Sequence, residues 1–577
     1  MKRQISVLGG MLFLIGMIVQ SCGGTQADAA GAMEASAEQF TMLPASETGI
    51  DFENKIIEKP NHHLGYYDYY YNGSGLAAGD FNNDGLTDLF FCGNHADNTL
   101  YLNEGGLKFT DVTKQAGIIS TNKWSTGATL VDINEDGWLD IYVSNSGPTN
   151  DGQKLANQLY VNNQDGTFTE QAEAYGIADA SRTTQSSFFD IDNDGDLDLI
   201  VMNHSLRNRE GNAVKWPSTF AALDPEIQEQ DINTLYRNDG NGKFTDITRE
   251  AGLYKPGFGL GLAISDFDED GFLDIYIAND YFMPDFFYMN NGDGTFTDKI
   301  KSYNSHISFY SMGCDAADIN NDGLVDLSVV DMTPADHFRN KTLMASMNVD
   351  QFTWLNDIQG YAPQYMFNTL QLNRGFGVFS EIGLMAGTSQ TDWSWAALLA
   401  DFDNDGLKDF LVTNGYYRDT KDNDWRIGLQ ERYEAEGKSP EVYYKHLLTA
   451  NSQPIPNYMY RNKGDLTFED VSKTWNLDEP SFSHGAIYAD LDQDGDLDIV
   501  TNNLAGKAFV LKNNSREKGS GNYIRFNLKS GSNFNDCLNA KVRIFYGDGQ
   551  QQMTEYSFTR GYQSYVEPAA HFGLGEA

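Results

Sequence analysis

The chain is predicted to be all-β, a seven-bladed propeller followed by a small β-rich domain, and three observations lead there. A nine-residue acidic pattern recurs seven times, its basic spacing is 52 residues, and each copy lies between two apolar strand-like runs. Repetition at that period marks a propeller or a solenoid. Composition agrees, since 56 Gly beside 31 Tyr and 35 Phe in 577 residues suit short strands and tight turns. With 40% hydrophobic and 13% aromatic residues the chain is also too apolar for an acidic disordered protein. The balance of 82 acidic against 40 basic residues, a net charge of -42, excludes a nucleic-acid binder, which needs clustered Lys and Arg.

Taken in order, the chain opens with Lys2 and Arg3 before an apolar run from Ile5 to Val19, which predicts a signal peptide over residues 1–21. The run is shorter than a membrane span. Val19-Gln20-Ser21-Cys22 resembles a bacterial lipoprotein box. The resemblance implies cleavage before Cys22, acylation of its thiol and an outer-membrane lipoprotein, with the leaflet left open. Residues 22–38 are small and polar, as a flexible tether is. The other cysteines, Cys92, Cys314 and Cys537, show no metal spacing, and the first two sit in apolar runs as buried thiols.

The propeller is expected over residues 39–514. Each unit reads as four strands: a small apolar strand, the acidic loop, a second apolar strand, an amphipathic strand with a tight Asn/Asp-Gly turn, and a closing Phe-Thr-Asp or its like. The seventh unit offers only three strands after Asp490. Phe40-Thr41-Met42-Leu43 repeats the closing pattern, so the N-terminal strand is expected to complete the last blade and lock the ring.

The pattern D-x-[DN]-x-D-G-x-x-D places oxygen donors at positions 1, 3, 5 and 9, a turn-forming Gly at position 6 and a backbone carbonyl at position 7. That donor set suits calcium, a hard cation that takes six to eight oxygens. The candidate ligands are Asp80, Asn82, Asp84, Leu86 and Asp88 in the first loop, and Asp132, Asn134, Asp136, Trp138 and Asp140 in the second. The third has Asp190, Asp192, Asp194, Asp196 and Asp198, and the fourth Asp266, Asp268, Asp270, Phe272 and Asp274. The fifth has Asp318, Asn320, Asp322, Leu324 and Asp326, and the sixth Asp401, Asp403, Asp405, Leu407 and Asp409. Asp490, Asp492, Asp494, Asp496 and Asp498 make the seventh. Up to seven structural calcium ions are expected, bound less tightly where Asn82, Asn134 and Asn320 replace an acid.

Three insertions fall between second and third strands, at residues 204–231, 331–364 and 416–456, and therefore share the face opposite the acidic loops. Function concentrates in such loops. Trp216, Trp354, Tyr416, Tyr417 and Trp425 are the candidate ligand-binding aromatics, each with packing of the insert as the alternative role. The run Tyr66 to Tyr71 is read as half-buried structure.

From residue 520 the pattern changes. Arg560-Gly561-Tyr562-Gln563-Ser564 and His571-Phe572-Gly573-Leu574-Gly575 resemble the ASPIC/UnbV domain, while the seven loops resemble the FG-GAP or VCBS repeats of integrin α-chain propellers. Together they are similar to exported VCBS-repeat/UnbV proteins of Bacteroidetes. The resemblance implies a calcium-dependent propeller with an adhesive or binding role, and a further strand of the domain beyond Ala577. Three functions stay open: capture of a glycan or an envelope protein, a polysaccharide lyase or hydrolase, and a scaffold subunit of an outer-membrane complex. His204, His337 and His446 form no catalytic motif, and no GxSxG, HExxH or Walker loop is present. No catalytic residue is assigned, and oligomeric state is not legible.

Overall fold

The computed structural model describes residues 38–205, 231–343, 349–519, 521–529, 535–547 and 549–577. Cys22 and Trp216 lie outside the described residues. Seven four-stranded antiparallel blades form the ring, six as separate sheets and blade 1 within a six-stranded sheet that the C-terminal hairpin extends. Blade 1 runs through Leu76–Gly79, Asp88–Phe91, Thr99–Asn103 and Phe109–Asp111. Blades 2 to 6 repeat that order. Blade 7 has Ser483–Ala489, Asp498–Asn503 and Phe509–Asn513, and its fourth strand is Phe40–Leu43, with Phe40 opposite Asn513 and Leu43 opposite Val510. The ring is thus closed by pairing its two ends, which removes an open sheet edge.

A repeated Asn staples neighbouring blades. In six blades the last residue of the third strand sends its side-chain amide to a carbonyl of the preceding blade: Asn162 to Phe81 at 2.9 Å, Asn290 to Ile191 at 2.8 Å, Asn373 to Phe267 at 2.9 Å, Asn462 to Ile319 at 2.9 Å, Asn513 to Phe402 at 2.8 Å and Asn103 to Leu491 at 2.9 Å; in blade 3 Asn238 donates to Leu197 of its own blade. A buried carbonyl left without such a donor costs about 1–3 kcal/mol, which accounts for the Asn that ends the amphipathic strand in these six blades.

The C-terminal segment packs with the propeller into one compact unit spanning Glu38–Ala577. Strands Asn522–Phe526, Lys541–Tyr546, Gln550–Glu555 and Ala570–Gly575 lie over the acidic-loop face. Asn535 donates to the Asp132 carbonyl at 2.5 Å, Lys541 meets Asp266 at 2.9 Å, Gln551 donates to the Asn321 carbonyl at 3.2 Å, and Arg525 reaches Asp490 at 3.1 Å. Between them a short hairpin, Thr559–Arg560 and Ser564–Tyr565, enters the central channel and pairs with the first strand of blade 1, Ala77 opposite Tyr565.

The channel is lined by small residues because the hairpin comes so close. A Cβ on Gly75 would lie 1.7 Å from the Gln563 carbonyl oxygen, and one on Gly313 would lie 2.0 Å from the Trp395 oxygen and 2.9 Å from that of Gly561. Arg560, buried, holds the hairpin through Asp315 at 2.7 Å and the Tyr488 hydroxyl at 2.9 Å. Cys92 and Cys314 are buried free thiols. Among the described residues no helix is long and apolar enough to cross a membrane.

Candidate metal loops and candidate ligand cavity

The seven acidic loops share one geometry. Gly at position 6 has φ between +87° (Gly137) and +95° (Gly195), a conformation that excludes most side chains, and position 4 is also left-handed, from +54° at Asn83 to +61° at Gln493 and Glu269. In five loops the position 1 carboxylate accepts the backbone N–H groups of positions 5 and 6, as Asp80 does from Asp84 at 3.1 Å and Gly85 at 2.9 Å, and in blades 3 and 7 Asp190 and Asp490 accept that of position 6. The position 9 carboxylate ties the loop to the sheet. Asp88 accepts from the N–H of Phe81 at 2.9 Å and of Asn103 at 2.8 Å, and Asp140, Asp198, Asp274, Asp326, Asp409 and Asp498 each accept the equivalent pair.

Burial, and then the neighbouring loop carboxylates, push these acids up, to about 8 for Asp88 and Asp274 and about 7 for Asp140 and Asp198. Asp326, Asp409 and Asp498 are raised well above the usual range for the same reasons.

The donor sets fit a hard divalent cation. One oxygen each from Asp190, Asp192 and Asp194, from Asp266, Asp268 and Asp274, from Asp401, Asp403 and Asp409, and from Asp490, Asp492 and Asp494 lie within 4.8 Å of one another. Calcium ligands stand about 2.3–2.6 Å from the ion, so oxygens on one ion are at most about 5 Å apart. Oδ1 of Asp268 and Oδ1 of Asp492 are buried without a hydrogen-bond partner, an expensive state that a cation relieves.

Position 3 divides the loops into two classes. Where it is Asn, in blades 1, 2 and 5, the side-chain amide donates to the position 5 carboxylate: Asn82 to Asp84 at 2.9 Å, Asn134 to Asp136 at 2.9 Å, Asn320 to Asp322 at 3.0 Å. Where it is Asp, a basic side chain comes in from elsewhere. Arg461 meets Asp403 at 2.7 Å and Asp405 at 3.0 Å, Lys512 meets Asp492 and Asp494, and Lys541 meets Asp266. Arg237 helps hold Asp192 down against burial and its acidic neighbours.

The opposite face holds a cavity of about 910 Å³, within the range of small-molecule sites. The Tyr run supplies Tyr66, Asp68 and Tyr69, blade 4 supplies Asp280 and Tyr281, and Phe309, Tyr310, Met312 and Met332 come from the blade 5 region. The start of blade 6 contributes Trp393, just before its first strand Ser394–Ala400, and Trp395 within it, and the blade 6 insert contributes Tyr416, Lys421, Trp425, Arg426 and Tyr443. Asp422 caps helix Asn423–Glu436 by accepting the Trp425 N–H at 2.9 Å, and Ser439 caps Pro440–Leu447, with Pro at its start. These caps set the wall that Trp425 and Tyr443 form. Trp393 stacks on Tyr416 with ring centroids 3.7 Å apart, and Trp425 stacks on His446 at 4.7 Å.

Charge is held at the base of this apolar wall. Burial pushes Asp280 up to about 7, opposed by the Tyr281 N–H, which it accepts at 2.6 Å, and by Lys421. Burial lowers the Lys421 ammonium, which Asp280 and Asp68 support.

Of the sequence candidates, Tyr416 and Trp425 line the cavity. Tyr417 packs instead on Tyr71 at 5.4 Å and Phe482 at 5.5 Å, and half-buried Trp354 sits in the helical turn Trp354–Ile358 outside the lining. The Tyr run is mostly buried, with Tyr67, Tyr69, Tyr70 and Tyr71 in the core, and of the run Tyr69 and half-buried Tyr66 line the cavity. Trp393, Trp395 and Asp280 went unnoticed in sequence, where they read as ordinary strand ends, and so did Lys421 within the blade 6 insert. His204 is buried against the Tyr67 hydroxyl at 2.9 Å and Ser146 at 3.0 Å, and His446 bonds the Trp425 carbonyl at 2.8 Å, both structural positions.

A family model for FG-GAP-like repeats matches residues 80–143, 146–201, 221–277, 266–329 and 447–501, and one for ASPIC and UnbV matches residues 529–577. Cartilage acidic protein 1 of Xenopus tropicalis is 26% identical over 211 residues, 36% of this chain and 29% of that protein. The Homo sapiens protein of that name is 24% identical over 36% of this chain and 28% of its own length. The matched region thus spans under a third of these relatives.

Among solved structures, an Agrocybe aegerita lectin that recognises non-reducing terminal N-acetylglucosamine has 16% identity and a TM-score of 0.38, over 77% of this chain and 95% of the lectin. An exotype rhamnogalacturonan lyase has 10% identity and a TM-score of 0.30, over 77% and 90%. A Trypanosoma rangeli sialidase has 9% identity and a TM-score of 0.36, over 84% and 60%. With five FG-GAP-like segments that take in six of the seven acidic loops, and the ASPIC and UnbV match behind them, the chain is one that carries FG-GAP repeats and a C-terminal ASPIC and UnbV domain.

Proposed function

We propose that this chain is an exported, lipid-anchored binding protein whose loops hold calcium for stability and whose aromatic cavity captures a glycan. The observation that carries the reading is the cavity itself. It is concave rather than flat, which favours a small ligand or a chain end over a protein surface. Trp393, Tyr416 and Trp425 in its lining supply the aromatic surface that packs against the C–H faces of a sugar. Asp68, Asn72, Asp280, Thr420 and Lys421 offer donors and acceptors for hydroxyls. Calcium in the loops would be held by the carboxylates or amides at positions 1, 3, 5 and 9 and the carbonyl at position 7, and would supply positive charge where acids crowd.

The test is retention of the calcium-loaded protein on an array of cell-envelope and plant polysaccharides. Capture that is lost in Trp425→Ala and Lys421→Ala, with an unchanged melting midpoint, is the expected result. Capture equal in wild type and both variants, or no capture of any glycan, overturns it.

A second reading, a polysaccharide-active enzyme, draws on Asp280, since a buried carboxyl near neutrality suits a general acid. Unsaturated or shortened oligosaccharides, formed by wild type and absent with Asp280→Asn, would favour the enzyme over the binder.

A further inference from the structure

We propose that blade 7 carries a second divalent-cation site beside the loop site, built by two side chains of the nine-residue loop, Asp494 and Asp496, and by Glu517 from outside it; it rests on the reading of the loops as cation sites. Position 7 of the loops offers only a backbone carbonyl where it is Leu86, Trp138, Phe272, Leu324 or Leu407. In blade 7 it is Asp496, 1% exposed. Asp496 Oδ2 accepts the Arg516 N–H at 3.0 Å, while Oδ1 is buried with no hydrogen-bond partner.

One oxygen each of Asp494, Asp496 and Glu517 lie within 4.8 Å of one another, a spacing that fits ligands on one calcium-sized ion. This cluster shares Asp494 with the loop set of Asp490, Asp492 and Asp494. Glu517 belongs to no repeat. It is presented by the turn after strand Phe509–Asn513, where the Lys518 N–H donates to the Asn514 carbonyl at 3.0 Å, and Lys512 steadies one of its oxygens at 3.0 Å.

Charge points the same way. Asp490, Asp492, Asp494, Asp496, Asp498, Glu517 and Glu567 converge here, and Lys512 and Arg525 are the basic side chains paired with them. One divalent ion leaves three uncompensated negative charges, and two leave one. In blade 1, Asp80, Asp84 and Asp88 with a single ion also leave one. The chemistry is all oxygen and carboxylate-rich, so calcium or manganese is the class expected rather than zinc or copper.

The test is a calcium titration of the chelator-stripped full chain, read as ions bound per chain, for wild type, Glu517→Gln, Asp496→Asn and Asp492→Asn. Glu517 is largely exposed, so its variant keeps the fold, and the melting midpoint in calcium verifies that. The proposal expects each of Glu517→Gln and Asp496→Asn to lose one equivalent while the double variant loses no more than either alone. If Asp492→Asn loses an equivalent and Glu517→Gln loses none, the second site is wrong and the loop reading stands. If wild type binds no calcium, both fall together.

Discussion

The two ends of the propeller channel solve different problems. At the acidic-loop end every blade contributes the same structure, and the difficulty is charge: acids are brought together and then covered by the C-terminal strands, with Lys541 on Asp266 and Arg525 on Asp490. At the other end nothing repeats. The Tyr run, one strand end and unrelated inserts enclose an aromatic cavity in a chain of net charge -42. The hairpin around Gly561 joins the two, reaching from the charged face to Trp395 at the cavity, whose ring lies 5.1 Å from that of Tyr562. Repetition builds a rigid platform, and irregular segments on one face make the site. A perturbation of the loops or hairpin should therefore appear in stability, and one of the cavity in capture.

The largest effect is expected from Arg560→Leu. It strands Asp315 in the channel without its partner, and a broken buried ion pair costs about 3–5 kcal/mol. Chemical denaturation that shows no loss would break the view of the hairpin as a structural plug. Deleting residues 38–50 removes the strand that closes blade 7, including fully buried Phe40. The midpoint of the whole propeller should fall by several degrees, in one cooperative step, and an unchanged midpoint contradicts closure by this strand.

Lys512→Leu and Arg461→Leu should act more weakly and with opposite signs in two buffers. In chelator the blade 7 and blade 6 loops lose a counter-charge and the midpoint falls. In calcium the same loops gain affinity, read by titration. A variant that lowers affinity would mean that the basic side chain supports the cation rather than substituting for it.

The pH effect is smaller still. Burial raises Asp285 to about 7 and Asp331 to about 6, above an unfolded value near 4. The folded state then holds protons that the unfolded chain has released, so their contribution is present at low pH and fades as pH rises through about 4 to 7. Between pH 5.5 and 8, at saturating calcium, the midpoint should decline. A rise over that range would contradict the burial of these acids as described.

The difference between the two ends also explains what was legible in the sequence. The loops, the four strands per blade and the closing strand at Phe40 are written in local patterns that recur, so each copy supports the others. The staple made by Asn103 and its five equivalents left a trace, a constant Asn at the end of the third strand, whose role needs the neighbouring blade. The hairpin showed as the Arg560-Gly561-Tyr562-Gln563-Ser564 motif, but its place in the channel did not, because Arg560 and Asp315 are 245 positions apart and share no period. The cavity was half legible. Tyr416 and Trp425 stood out as aromatics in an insert, but Trp393, Asp280 and Lys421 come together only when blades 4 and 6 face one mouth. Trp354 and Tyr417 looked the same in sequence and pack elsewhere, since composition does not tell which side of an insert a ring will face.

The most direct test of the account is a thermal melt of residues 38–577 in millimolar calcium against the same protein in chelator. At ten times its dissociation constant each loop adds about 1.4 kcal/mol, so the seven together should raise the midpoint by at least roughly 10 °C. Identical midpoints in calcium and chelator would contradict it, leaving the acidic face held by Lys512, Arg461, Lys541 and the Asn amides alone.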